Sequence, residues 1–203
     1  GGGKLLDVGP GKATNRTVVT FVGTPDAVVD AAFLAIKKAA ELIDMSKHSG
    51  EHPRMGATDV CPFIPISGIT MEETVVYTKK LAERVGNDLG ISAFLYESSA
   101  TDPRWKNLAN IRAGEYEKME SKLQQDDFNP DFGPKVLNKR AGVTAIGARD
   151  FLIAYNVNLN TTSVRRANSV AFDGREGGGV KREGNPITGP VVRDENGEAV
   201  RIP

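Results

Sequence analysis

Only one cysteine, Cys61, stands in the 203 residues, so no disulfide can close within the chain and a reducing compartment, the cytoplasm, is expected. Neither sign of charge is in surplus. Lys plus Arg number 26 and Asp plus Glu 26, which leaves nothing to condense onto nucleic acid or an anionic membrane, and any anionic ligand must be held by a local cluster. No uninterrupted apolar run approaches the roughly 18 residues that cross a bilayer. Gly1-Gly2-Gly3-Lys4 also lacks the apolar stretch of a secretory signal. Histidine is scarce too, with only His48 and His52. Gly50 lies between them and no His-Glu-x-x-His pattern is present, so no metal is expected.

What is present reads as a globular α/β chain, long enough for one large or two small domains. Lys4 to Val8 and the β-branched run Arg16 to Val22 suggest a hairpin with a long loop. Thr24 and Pro25 then open a helix striped by Val29, Phe33, Ile36, Ala40 and Ile43 and ending near Asp44. Asp59 to Ile66 is apolar on both faces but carries Pro62 and Pro65, which places a buried strand near a sheet edge or at a bulge. Thr70 and Glu73 form a capping box for a second helix to about Leu89, and Ile91 to Tyr96 makes the next strand. Short helical pieces are expected between Ala100 and Gln125, packing through Leu108, Ile111, Tyr116, Met119 and Leu123. A Pro/Gly/Asp-rich connector runs from Asp126 to Gly142, followed by a strand pattern from Val143 to Leu159 and a helix from Ser163 to Asp173. From Gly174 the glycines and mixed charges predict an irregular tail with weak strand signals at Val191, Val192 and Ile202. Strands alternating with amphipathic helices imply helices covering a mixed sheet.

Candidate chemistry concentrates between Gly50 and Phe63. Pro53 disfavours helical geometry at His52 and so aims the imidazole by backbone. Histidine, with an ordinary pKa of roughly 6.5, both takes and returns a proton near neutrality. Arg54 adds a positive fork for carboxylate or phosphate. On these residues alone, an active-site loop and a solvated surface turn are equally good readings.

The segment Ser46 to Pro65, with its core Gly50-Glu51-His52-Pro53-Arg54-Met55-Gly56-Ala57-Thr58-Asp59, resembles the signature loop of glutamate formiminotransferases, folate-dependent enzymes of histidine breakdown that are sometimes fused to a cyclodeaminase. Further blocks agree in the family's order. They are Leu5 to Val8, Thr14 to Val18, Ile111-Arg112-Ala113-Gly114-Glu115-Tyr116-Glu117, Pro130-Asp131-Phe132-Gly133-Pro134, and Gly147 to Leu159. The resemblance implies two ferredoxin-like α/β sandwich subdomains with a ligand tunnel between them. The first subdomain, at residues 1–141, is expected to lack the family's first strand and helix, and the second, at 142–203, to be truncated. At Gly9 the chain departs from the family, in which an acidic residue is expected near that position.

The implied reaction moves a formimino group from N-formimino-L-glutamate to tetrahydrofolate. His52 aligns with the family's catalytic histidine, as general base toward the folate nitrogen and then general acid toward the departing glutamate amine. The carboxylates of both substrates, including a polyglutamate tail on the folate, need cationic partners. Arg54 ranks first, with Arg16, Arg112, Lys139 and Arg140 behind it. Gly133, Pro134 and Gly142 belong to the stretch resembling the family's folate-contacting loop, which also holds Lys139 and Arg140. Asp59 is expected to orient His52, to brace Arg54, or merely to accept a hydrogen bond at a strand edge. Tyr96, Tyr155, Asn156 and Asn158 are candidates for a pterin pocket or for ordinary strand packing. A homodimer and a cyclodeaminase partner are further expectations of the resemblance. Two other readings stand beside it: a folate- or pterin-binding module without turnover, prompted by Gly9, and a cysteine hydrolase pairing Cys61 with His52. A buried, inert thiol is the stronger reading of Cys61, which sits in an apolar run.

Overall fold

The computed structural model describes residues 2–153, 157–174, 180, 181, 183, 184, 189–195, 197, 199 and 200. They fall in two compact units, Gly1–Phe151 and Leu152–Pro203.

The first unit opens with strands β1 (Gly3–Gly11) and β2 (Arg16–Gly23), paired antiparallel with a bulge between Leu5 and Asp7. Helix α1 (Pro25–Leu42) follows, with Thr24 as N-cap and Pro25 in the first turn, where a missing N–H is harmless. It buries Val29, Ala32 and Ile36 and stops one turn before a 3-10 turn at Met45–Lys47. Strand β3 (Val60–Phe63) leads to helix α2 (Met71–Leu89), whose start is fixed by the expected capping box: the Glu73 N–H donates to Thr70 Oγ1 at 3.1 Å and the Thr70 N–H to Glu73 Oε2 at 2.8 Å. Strand β4 (Ser92–Leu95), the short helices α3 (Leu108–Arg112) and α4 (Glu115–Leu123), and strand β5 (Val143–Ala148) complete the unit.

β3, β5 and β4 form a parallel sheet in that order, so β5 is central, and it is buried at every position. Period-two alternation divides two cores between the sheet faces. Ala93, Leu95 and Ile146 pack with α1 and α2 through Val29, Ile36, Leu81 and Val85, whereas Phe94, Val143 and Ala145 pack with Trp105, Ile111, Met119, Leu123 and Phe128. On that second face Phe94 meets Trp105 edge-on at 6.0 Å and Phe128 at 4.7 Å.

The α/β class agrees with expectation, but in place of one mixed sheet the antiparallel β1–β2 pair and the parallel β3–β5–β4 sheet are separate. The strand pattern read from Val143 to Leu159 does not run that far. β5 ends at Ala148, where its neighbour β3 ends at the paired Phe63, and the Arg149 N–H makes one last bond to the Phe63 carbonyl. β5 lies on the C-terminal side of residue 141 yet is the middle strand of the first unit's sheet.

In the second unit, helix α5 (Val164–Gly174) occupies the expected segment, with Ser163 Oγ accepting from the Arg166 N–H. Val192 bonds back to Lys181 and accepts from Val200, and Arg193 pairs with Ala199. Tyr155, Asn156 and Ile202 lie outside the described residues.

Candidate active site

The loop from His48 to Asp59 is held at both ends. At its start the Glu51 N–H donates to the Ala13 carbonyl, and Asn15 in the β1–β2 turn donates to the Ser49 carbonyl at 2.8 Å while its amide faces His48 Nδ1 at 3.2 Å. At its end the Val143 N–H donates to the Met55 carbonyl and the Ala57 N–H to the Ala141 carbonyl. Gly56 and Gly142 face each other across this crossing. A Cβ on Gly56 would stand 2.0 Å from the Val143 oxygen, and Gly142 adopts a φ of 69° with its own Cβ position 2.2 Å from the Met55 oxygen. Only glycine fits either place. The loop is thereby docked on the entering ends of β3 and β5.

Four expected residues converge there. The half-buried His52 imidazole lies against Arg16, whose Nη1 is 2.5 Å from Nδ1 and 3.1 Å from Nε2, and Nδ1 also faces the Pro53 carbonyl at 2.8 Å. Arg16 Nη2 reaches Asp59 Oδ2 at 3.2 Å, and Arg112 Nη2 donates to the same oxygen at 2.5 Å. The other carboxylate oxygen of Asp59 accepts the Met55 N–H at 2.8 Å. Asp59 is 8% exposed, Arg16 24% and Arg112 14%. Two guanidinium groups on one carboxylate leave a surplus positive charge beside the imidazole. Burial lowers the Arg16 pKa, Asp59 offsets this in part, and the like charge of Arg112 adds to the lowering.

Arg54 is placed differently. Its Nη1 donates to Glu115 and Glu117 at 2.9 Å each, and its Nη2 to Glu117 at 2.6 Å and to the His48 carbonyl at 2.8 Å. Its pKa is raised chiefly by the hydrogen bonds it donates to Glu117, whose own pKa Arg54 lowers. The residue expected first to hold a ligand carboxylate therefore holds two of the chain's own and one loop carbonyl. Sequence reading missed Glu115 and Glu117 as its partners. The signal was the Gly114-Glu115-Tyr116-Glu117 motif, in which Gly114 (φ 82°) and Glu115 (φ 56°) both adopt left-handed geometry that turns the acidic pair back toward the loop.

The remaining candidates are dispersed. Pro134, next to Gly133, accepts from Ser92 Oγ at 2.7 Å at the start of β4. Lys139 is exposed, 3.6 Å from Glu120, and its carbonyl accepts the Tyr116 hydroxyl at 2.7 Å. Arg140 donates to the Glu41 carbonyl at 3.0 Å at the end of α1. Asn158 belongs to the second unit and is exposed. Tyr96 is buried in the core beside the end of β4. Cys61 is half-buried against the apolar core, and desolvation there pushes its thiol up to about 12, which disfavours the thiolate as a nucleophile at neutral pH. Among the described residues no cluster of three His, Cys, Asp or Glu side chains offers a metal site, and no helix is long and apolar enough to cross a membrane.

Comparison with known proteins places this geometry in a family context. Residues 1–149 match the family model of the formiminotransferase domain, N-terminal subdomain. A formimidoyltransferase-cyclodeaminase of Dictyostelium discoideum is 52% identical over 174 residues, covering 86% of this chain and 32% of that protein. Glutamate formimidoyltransferases of Streptococcus pyogenes and Thermoplasma acidophilum are 50% and 48% identical, covering 86% and 83% of this chain and 58% and 56% of theirs. The chain thus spans about a third of the fused relative and just over half of the unfused ones.

Proposed function

The chain belongs to the formiminotransferase family through its N-terminal subdomain, and from that premise we propose that it serves transfer of the formimino group from N-formimino-L-glutamate to tetrahydrofolate. The observation that carries the reading is the convergence of His52 with Arg16, Asp59 and Arg112 at the docked loop.

The folate ring nitrogen attacks the amidine carbon and must lose its proton, and the glutamate nitrogen must gain one as its bond to that carbon breaks. One imidazole serves both steps if one of its nitrogens is open to the reacting atoms. The tautomer with Nδ1–H donating to the Pro53 carbonyl fixes the ring and leaves the Nε2 lone pair as acceptor. Substrate carboxylates go to Arg16 and Arg112, because that cluster carries surplus positive charge whereas two carboxylates already surround Arg54. Arg112 and Arg54 each keep a buried Nε donor without a partner among the described residues, so the charge balance alone separates them. Arg54 instead ties the His52 loop to α4. The exposed basic residues Lys139 and Arg140 suit a flexible anionic tail such as a polyglutamate.

The same reading places the protein in the cytoplasm, in histidine breakdown, with a cyclodeaminase consuming its product. The rival reading, folate binding without turnover, rests on Gly9, which pairs with Val18 in the hairpin. The Asp7 carboxylate lies 3.6 Å from where a Gly9 side chain would start, so a carboxylate is still present on that strand. Incubation with formiminoglutamate and tetrahydrofolate, followed by detection of formimino-tetrahydrofolate and glutamate, decides between them. Turnover supports transfer. Saturable folate binding without product supports the binding module.

A further inference from the structure

We propose that Lys122 is a positioning residue for substrate binding: its ammonium fixes the last turn of α3 and so sets Arg112 against Asp59, where the arginine meets the carboxylate of formiminoglutamate. This rests on the formimino-transfer reading and adds to it the group that builds the anion-binding wall.

Arg112 is the last residue of α3, a helix of five residues. So short a helix does not hold itself together in water. Its start is capped, since Asn107 Oδ1 accepts the Ala109 N–H at 3.0 Å, and Ile111, fully buried with Trp105 and Phe128, fixes where it lies. Its end has no such local device. At Ala113 the backbone leaves helical geometry (φ −51°, ψ 127°), and the carbonyls of the final turn need donors from elsewhere. Lys122, in the last turn of α4, supplies them. Its Nζ donates to the carbonyls of Asn110 at 3.2 Å, Ile111 at 2.7 Å and Ala113 at 3.0 Å. All three hydrogens of the ammonium thus go to the residues on either side of Arg112.

A lysine that only keeps a surface wet would meet water or a carboxylate. This one lies 4.3 Å from the centroid of the Phe128 ring; burial lowers its pKa, and no carboxylate among the described residues offsets that effect. The backbone it holds carries one wall of the site. Arg112 Nη2 donates to Asp59 Oδ2 at 2.5 Å, and Glu115 and Glu117, which hold Arg54, follow at the start of α4. A neutral side chain at position 122 frees the final turn of α3, and a shift of about 1 Å there carries the Arg112 contact to the edge of hydrogen-bond range. The guanidinium then no longer presents a fixed fork to a ligand carboxylate. His52 keeps its place, because backbone bonds dock its loop at both ends and the Pro53 carbonyl faces its ring. Substrate affinity should therefore fall while proton transfer is spared.

Two measurements on the 203-residue chain test this. The first needs no turnover: modification of Arg112 by phenylglyoxal, located by peptide mass spectrometry. In Lys122→Met, Arg112 should react about tenfold faster than in the unaltered chain, the factor for loosening one charge-assisted hydrogen bond. Arg84, paired with Asp30 between α2 and α1, should react at its former rate. Lys122→Gln, whose amide keeps two donors, should show a rise of about threefold and serves where methionine prevents folding. An unchanged Arg112 rate in the folded variants, or an equal rise at Arg84, overturns the proposal. The second measurement is kinetic. Lys122→Met should raise KM for formiminoglutamate about tenfold and leave kcat within about threefold of the unaltered chain. In an Arg112→Met background it should raise KM no further, because the group it positions is gone. An unchanged KM, whether or not kcat falls, or effects of the two substitutions that multiply, overturns the proposal. Absence of turnover in the unaltered chain counts against formimino transfer itself, and the modification rates then decide whether Lys122 sets Arg112.

Discussion

Replacing Asp59 by asparagine tests the centre of the site without changing its volume. The amide oxygen can still accept the Met55 N–H, now held at 2.8 Å, but the amide NH2 faces Arg112 and Arg16 in place of the oxygen they meet at 2.5 and 3.2 Å. Two donors then confront a donor, and two guanidinium groups lose their shared counterion. Removing one partner of a fully buried pair costs roughly 3–5 kcal/mol. Arg16 is 24% exposed and can turn toward water, which reduces the expected cost to about 2–3 kcal/mol. Urea unfolding followed by Trp105 fluorescence reads the first unit directly, because this tryptophan is buried against Phe94 and Phe128 and the chain has no other. With a slope of about 2 kcal/mol per molar urea, the midpoint should fall by about 1–1.5 M. A fall of less than about 0.3 M, within ordinary reproducibility of such midpoints, would refute the view of Asp59 as the charge on which both arginines depend.

Gly56→Ala sets a methyl carbon 2.0 Å from the Val143 oxygen, so the loop must shift by about 1 Å, and transfer activity should fall about 100-fold while a folded far-UV spectrum is retained. Glu117→Gln, at a side chain 60% exposed, should lower stability by less than about 1 kcal/mol in the same urea assay. Arg54→Met should cost about 1 kcal/mol, because Glu115 and Glu117, 41% and 60% exposed, turn to water while the His48 carbonyl loses its donor. For Cys61, native protein at pH 8 should resist a thiol-specific disulfide reagent that labels it at once in denaturant. Its pKa is raised from 9.0 to about 12 by burial, so the unfolded chain loses the proton first, and stability should be undiminished below about pH 9 and decline from there toward pH 12. Cys61→Ala should flatten that decline.

Local chemistry made much of this legible beforehand. The Thr70 and Glu73 capping box, Thr24 with Pro25, and the β-branched run of β2 act within a few residues, and each element stands where those signals put it. The loop carrying His52 and Asp59 was legible for the same reason, since Pro53 and the glycines fix its backbone locally. Partners distant in sequence were not. Nothing near Arg54 reveals that residues 61 and 63 positions later take its charge, and composition cannot rank it below Arg16 and Arg112. The overlong strand read after Ala148 has a similar origin. Apolar alternation continues through Phe151, Leu152 and Ile153, but these are exposed, because the strand needs neighbours and β3 has ended. The order β3, β5, β4 likewise depends on crossovers that no periodicity encodes.

The role of His52 is the central claim, and chemical rescue tests it most directly. His52→Ala should lower kcat for formimino transfer by about 10²–10⁴-fold, and added imidazole should restore part of the rate in proportion to its concentration, since the vacated ring leaves space beside Arg16 and the Pro53 carbonyl. Retention of the full rate in His52→Ala would contradict the account.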